Sequence, residues 1–102
     1  MSKSVFQIEF DDESASASGK KNDALSYEVE EDAQLRLEVL DGIQFLFGNR
    51  PGFLSLARIL LKMALSGYRD GFHVHLRQDL SGDAGLPDTL TICLNSKGPT
   101  TR

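Results

Sequence analysis

The chain has 102 residues, with 40% hydrophobic and 25% charged side chains and a formal net charge of −4 at pH 7. This length suits a single domain with one hydrophobic core, and the composition excludes the disordered, fibrous and membrane classes. The longest apolar-rich stretch, residues 53–65, is interrupted by Arg58 and Lys62 and therefore cannot span a bilayer. We expect one α+β domain over residues 1–95 and a flexible tail over residues 96–102.

Two further features indicate a cytoplasmic protein. Cys93 is the only cysteine, which excludes an internal disulfide and suits a reducing compartment. The first residues lead directly into a strand-like segment, without an apolar signal region or a cleavage site.

The charge is distributed unevenly along the chain. Residues 1–47 carry eleven acidic and four basic side chains, whereas residues 48–102 carry four acidic and seven basic ones. Nucleic-acid binding depends on cations that displace counterions from phosphate, so we expect no nucleic-acid partner. An acidic surface instead attracts a basic protein, although it can also serve solubility alone. The predicted partner-binding residues are Asp11, Asp12, Glu28, Glu30 and Asp32.

Apolar and polar residues alternate in several segments, as they do in half-buried strands. The segments are residues 4–10, 25–30, 35–39, 43–47, 72–77 and 89–95. Polar, glycine-containing stretches over residues 11–23 and 78–87 are predicted to be flexible loops.

The turn between the third and fourth predicted strands allows two registers. A two-residue Asp41-Gly42 turn places the charged residues of the third strand on the same face as two phenylalanines. A three-residue loop pairs Val39 with Ile43 instead, and gathers the apolar side chains on one face with Gly42 at the left-handed position of a bulge. Because register follows the hydrophobic pattern, we favour the three-residue loop.

A helix is predicted to begin near Pro51, which fits a first helical turn, with Asn49 or Arg50 as the N-cap. It is predicted to end at Ser66-Gly67, where glycine can supply a left-handed cap. Polar side chains occupy one narrow arc of this helix, and apolar residues fill the rest of its circumference. The stripe expected to pack on the sheet is centred on Phe53, Ala57, Leu60 and Ala64.

That arrangement leaves Ile59 and Met63 exposed beside the polar arc in a monomer. Burying two such side chains is worth roughly 3–6 kcal/mol, so we predict a homodimer that buries Ile59 and Met63. The alternative is that the second loop or the tail folds over this flank. The predicted fold is α+β with the order ββββαββ, a mostly antiparallel sheet of about six strands with one helix packed on one face.

His73 and His75 have the spacing of metal ligands, because residues two apart on a strand point to the same side. Cys93 on the last strand is a candidate third ligand. The sequence has no other histidine and no acid at a diagnostic spacing, so we favour two surface histidines and predict no metal site and no cofactor. Because a nucleophile elbow and a nucleotide-binding loop are also missing, no catalytic residue is predicted.

Three segments of the chain resemble a known family pattern. They are Gly48-Asn49-Arg50-Pro51-Gly52, Leu54-Ser55-Leu56-Ala57-Arg58 followed by Leu60-Leu61, and His73-Val74-His75-Leu76. The pattern is similar to that of the immunity protein 32 family of bacterial polymorphic toxin and contact-dependent inhibition systems. The resemblance spans residues 48–76 and implies a small cytoplasmic antidote that binds a toxin domain and blocks it, without catalytic residues of its own.

We therefore expect a non-enzymatic immunity protein that neutralises a bacterial toxin by direct contact with a basic toxin domain. The alternative is a small metal-binding protein or metal-dependent enzyme that uses His73 and His75. A third possibility is a subunit whose main partner is a second copy of itself.

Overall fold

The computed structural model describes residues 2–15, 25–80, 88–95 and 97. Within this part of the chain the fold is α+β, with one helix and two small antiparallel sheets. The elements in chain order are β1 (Leu35–Leu40), β2 (Ile43–Gly48), α1 (Arg50–Leu65), β3 (His73–Arg77) and β4 (Asp88–Cys93). The predicted loops and the predicted tail lie largely outside the described residues.

The α+β class is confirmed, but the described residues form four strands rather than six. Residues 4–10 and 25–30, which alternate like strands, contain no strand. The second of these segments lies along α1, where the Glu30 N–H donates to the Ser55 hydroxyl at 2.9 Å. An alternating pattern forms a strand only where a partner strand is present, and here a helix lies in that position.

β1 and β2 form a hairpin whose turn has two residues rather than the predicted three. Leu40 pairs with Ile43, and the turn residues Asp41 and Gly42 have φ of 52° and 79°. Both values are left-handed, as in a type I′ turn, whose twist matches that of the paired strands. Gly42 therefore has the positive φ that was predicted for it. The predicted register is wrong, because Leu40 rather than Val39 pairs with Ile43. The local preference of Asp-Gly for this turn outweighs the sorting of apolar side chains onto one face.

This register leaves apolar side chains on both faces of the hairpin. On one face Arg36 and Glu38 lie beside Phe45 and Phe47, and the Arg36 guanidinium is 5.0 Å from the centre of the Phe47 ring. The opposite face carries Leu35, Leu37, Val39 and Leu46. Val39 is 60% exposed, so the hairpin is accessible to solvent on a face that is rich in apolar side chains.

α1 begins and ends close to the predicted residues. Asn49 is the N-cap, and its side-chain oxygen accepts from the Gly52 N–H at 2.8 Å. The helix ends at Leu65 with Ser66 as the C-cap, whereas Gly67 does not adopt the left-handed conformation that was predicted for it. Among the described residues, no helix is long and apolar enough to cross a bilayer.

α1 faces the opposite way from the prediction. Ile59 and Met63 are 0% and 3% exposed, so the prediction that they are exposed and available for a homodimer contact is wrong. The polar arc is not a solvated face, because Ser55 and Lys62 are buried together with these apolar residues. The stripe that was expected to be buried is exposed, namely Phe53, Ala57, Leu60 and Ala64.

The core lies between the inner face of α1 and the start of the hairpin, together with residues around β3. Its buried apolar members are Ala33, Leu35, Leu56, Ile59, Met63, Tyr68, Phe72, Leu76 and Leu80. The Leu35 N–H donates to the Gln78 carbonyl at 2.7 Å, which links the hairpin to the end of β3. β3 pairs with β4 in antiparallel register, with His73 opposite Cys93.

Candidate partner-binding groove

The polar arc of α1 holds an extended acidic segment of the chain, residues 25–32. The Arg58 guanidinium pairs with the Glu30 carboxylate at 2.6 Å. One turn further along the helix, the Lys62 ammonium donates to the Ser26 carbonyl at 2.8 Å. The acidic segment therefore runs antiparallel to α1, and the polar side chains of the helix serve to bind it.

Lys62 is only 8% exposed, and its charge is balanced by Glu13. The Glu13 carboxylate accepts a hydrogen bond from the Lys62 ammonium, and it also accepts from the N–H and hydroxyl of Ser26 at 2.9 and 2.8 Å. These bonds stabilise the ionised carboxylate, that of Lys62 most strongly, and lower the pKa of Glu13 from 4.5 to about 2. The N-terminal segment is thereby fixed to the same side of α1 as the acidic segment.

A groove of about 430 Å³ lies where the N-terminal segment, the acidic segment and α1 meet. Residues 7–11, residues 26–28, Arg58 and Lys62 line it, and we call it the acidic groove. Its volume lies in the range of about 300–1,000 Å³ that small-molecule sites occupy, and it can accommodate a long side chain of a protein partner.

The acidic groove carries negative charge that no ion pair among the described residues balances. The two cations that line it are already paired with Glu13 and Glu30. By contrast, Glu9, Asp11 and Glu28 are exposed and make no ion pair within the described residues. The apolar part of the wall of the acidic groove is formed by Ile8, Phe10 and Tyr27. Negative charge beside apolar walls suits a partner side chain that has an aliphatic stem and a cationic head.

Three of the five predicted partner-binding residues lie at the acidic groove. Asp11 and Glu28 line it directly. Glu30 borders it through its ion pair with Arg58, so its carboxylate already has a partner within the chain.

The other two predicted residues, Asp12 and Asp32, lie near opposite ends of α1. The Asp12 carboxylate accepts from the Gly67 N–H at 3.1 Å, just beyond the C-terminal end of the helix. The Asp32 carbonyl accepts from the Asn49 side-chain amide at 2.7 Å, at the N-terminal end. Since α1 has 16 residues and a helix rises by about 1.5 Å per residue, these two positions are separated by roughly 24 Å. The five residues therefore do not converge on one site.

Sequence reasoning missed Glu9 and Glu13, and it missed the role of Arg58 and Lys62. A signal was present in the sequence, because two cations on one arc of an otherwise apolar helix can bind an acidic segment of the same chain. The prediction instead assumed that the polar arc faces water, which is the usual arrangement for an amphipathic helix.

His73 and His75 lie on one exposed face of the β3–β4 sheet, with ring centroids 5.0 Å apart. The His73 Nδ1–H donates to the Gly71 carbonyl at 3.0 Å, and His75 Nδ1 lies 3.0 Å from the Thr91 hydroxyl. Cys93 lies opposite His73, on the same face. Within the described residues, no group of three or more His, Cys, Asp or Glu side chains is arranged to hold a metal ion.

Comparison with known proteins gives one match. The sequence profile of a family described as Immunity protein 32 matches residues 45–97, just over half of the chain. The match covers all of α1, β3 and β4 and the last four residues of β2, and it includes the three segments that carry the resemblance noted above. All five predicted partner-binding residues precede the matched segment. No curated protein and no solved structure matches the chain.

Proposed function

Because the chain belongs to the immunity protein 32 family, we propose that it is an immunity protein that neutralises a bacterial toxin by direct contact through the acidic groove. Membership of the family supports the role of an immunity protein, and the acidic groove is the surface that we propose contacts the toxin. In this proposal the protein acts in the cytoplasm and inhibits by binding, without catalysing a reaction.

The observation that carries the choice of surface is a set of three carboxylates, on Glu9, Asp11 and Glu28, that make no ion pair in the part of the chain that the structure describes. Unpaired charges of one sign on an open groove attract a partner of opposite sign and accelerate its association. The partner that fits is a toxin domain with a basic surface, from which a lysine or arginine side chain enters the acidic groove.

The internal ion pairs have a separate role in this proposal. Arg58 and Lys62 fix the two segments that form the walls, so that the acidic groove is formed before the toxin arrives. A preformed site avoids the entropic cost of ordering the walls on binding. Asp12 and Glu30 act mainly as part of this scaffold, and Asp32 extends the acidic surface toward the N-terminal end of α1.

The test is the association rate with a candidate basic toxin domain, sought among the genes next to that of this chain. The double variant Asp11→Asn/Glu28→Gln removes two carboxylates from the acidic groove and disturbs none of the ion pairs of the described residues. We expect the association rate at low ionic strength to fall by about tenfold and to depend less steeply on salt. Stopped-flow mixing over a series of salt concentrations measures both quantities.

The control is Glu38→Gln/Asp41→Asn, which changes the net charge equally but lies on the hairpin, where it also removes the exposed Arg36–Glu38 ion pair. Its association rate should stay within about twofold of the wild type, because exposed charges far from the contact are screened. Equal effects of the two double variants would indicate that only net charge matters and that the acidic groove is not the site. Failure of the wild type to bind the toxin would overturn the proposed function itself.

A further inference from the structure

The outer side of α1 carries an uncharged stripe with coiled-coil spacing. Its members follow one another at intervals of four, three and four residues, as a and d positions do. They are Phe53, Ala57, Leu60 and Ala64, all of them exposed, and we call them the outer stripe. The charged residues of this part of the helix, Arg58 and Lys62, point the other way and line the acidic groove.

The outer stripe is continuous with exposed apolar side chains of the hairpin. A Cβ placed on Gly48 would lie 2.9 Å from both Leu35 Cδ2 and Phe53 Cζ, so the Phe53 ring lies against the end of β2. Leu37 and Val39 extend this surface along the same hairpin face, and Leu54 and Leu65 flank the stripe on the helix. The six large apolar side chains of this surface are each 37–60% exposed, so together they form an extended apolar patch of the kind that marks an interaction site.

The outer stripe is complementary to itself when two helices pack antiparallel. A two-fold axis between positions 58 and 59 sets Phe53 against Ala64 of the second copy, and Ala57 against Leu60 of the second copy. Each large side chain then meets an alanine, which lets the helices approach closely while the stripe is filled.

We propose that the outer stripe binds a second copy of this chain and forms an antiparallel two-fold dimer. An uncharged surface gives no electrostatic attraction to a basic toxin, whereas two copies of an acidic chain repel each other least where neither carries charge. The outer stripe and the acidic groove lie on opposite sides of α1, so that both grooves remain open in the dimer. This inference does not depend on the proposed function.

The test is sedimentation velocity of the full chain between about 1 and about 100 µM. The wild type should be a dimer. Leu60→Glu and Ala57→Lys each place a charge at an exposed helical position, so both variants should fold. Each should raise the dimer dissociation constant by about a hundredfold or more, because the charge would be buried in the dimer contact. Far-UV circular dichroism checks their folding. Val5→Glu, which adds a charge to an 86% exposed apolar residue outside the outer stripe, is the matched control and should stay dimeric.

Mixing the two variants tests the antiparallel pairing. In a heterodimer the introduced lysine of one chain faces the introduced glutamate of the other, while the second Ala57–Leu60 contact stays unchanged, so dimers should reappear. A monomeric wild type at about 100 µM would overturn the dimer. Dimers that persist in both folded variants, or variants that stay monomeric when mixed, would overturn this surface or this pairing. If the wild type were monomeric and Leu60→Glu abolished toxin binding, the outer stripe would be the toxin-binding surface instead.

Discussion

Lys62 lies at a position of α1 where burial alone would favour a leucine, since only 8% of the residue is exposed. A buried ammonium is tolerated when its hydrogen bonds are satisfied, and here the Glu13 carboxylate and the Ser26 carbonyl accept them. Glu13 lies 49 residues away in the sequence, so this one pair connects the start of the chain to the helix. It also holds the start of the chain against the inward side of α1.

The Glu13–Lys62 pair should make stability depend on pH in the acid range. The pKa of Glu13 is lowered from 4.5 to about 2 in the folded protein, so folding favours the ionised form. The contribution is therefore fully present above about pH 4.5 and is lost as the pH falls toward about 2. We expect Glu13→Gln to lower the free energy of unfolding by about 1–2 kcal/mol at neutral pH, and the difference from the wild type to shrink on acidification. Urea unfolding over a pH series measures this.

Glu28→Gln is the matched control for that experiment. Glu28 is exposed and makes no ion pair within the described residues, so its replacement should alter stability little at any of these pH values. If Glu13→Gln and the wild type differed by the same amount at every pH, the ion pair would not be the source of the difference.

The hairpin is an element whose turn can be tested directly. Gly42 has φ of 79°, and a Cβ there would meet no atom within 4 Å, so any cost of a side chain comes from the backbone alone. We expect Gly42→Val to destabilise the protein by more than about 1 kcal/mol, because a β-branched residue is strained at positive φ. Gly42→Asn should cost clearly less, since asparagine tolerates this region. If Gly42→Val and Gly42→Asn lowered the midpoint urea concentration of unfolding by the same amount, this explanation would be contradicted.

Local signals in the sequence predicted most elements correctly. Asn49 and Pro51 mark the start of α1, and alternation marks β3 and β4. These features depend on neighbouring residues, so a single sequence contains the information. The hairpin register is different, because the preference of Asp41-Gly42 for positive φ outweighs the hydrophobic sorting on which the predicted three-residue loop depends.

The orientation of α1 could not be predicted from the helix pattern. Counting apolar residues favours burial of the broad stripe that includes Leu60, whereas the structure buries the arc with Ser55 and Lys62. That outcome depends on contacts with Glu13 and Glu30, which are distant in sequence. For the same reason, the sequence indicated acidic partner-binding residues but not which of them line the acidic groove.

At the scale of the whole molecule, α1 separates two surfaces of different chemistry. The acidic groove on one side carries carboxylates that have no ion-pair partner among the described residues, and the outer stripe on the other side carries exposed apolar side chains. Charge favours fast encounter with a basic partner, while an uncharged apolar surface contributes to affinity through burial. The arrangement would allow one dimer to bind two toxin domains, because neither contact covers the other.

A dimer also changes how the stability of the whole molecule depends on concentration. When a folded dimer unfolds to two chains, mass action makes the melting temperature rise with protein concentration. With roughly 2 cal/mol/K of unfolding entropy per residue over two chains of this length, we expect a rise of about 3 °C for each tenfold increase. Scanning calorimetry between about 2 and about 200 µM measures it.

The Leu60→Glu variant provides the comparison for this measurement, because a monomer unfolds at a temperature that does not depend on its concentration. Its melting temperature should be constant over the same range and lower than that of the wild type at every concentration. If the melting temperature of the wild type were also independent of concentration, the proposed dimer would be contradicted. This holds even if another partner covers the exposed apolar surface of α1 in the cell.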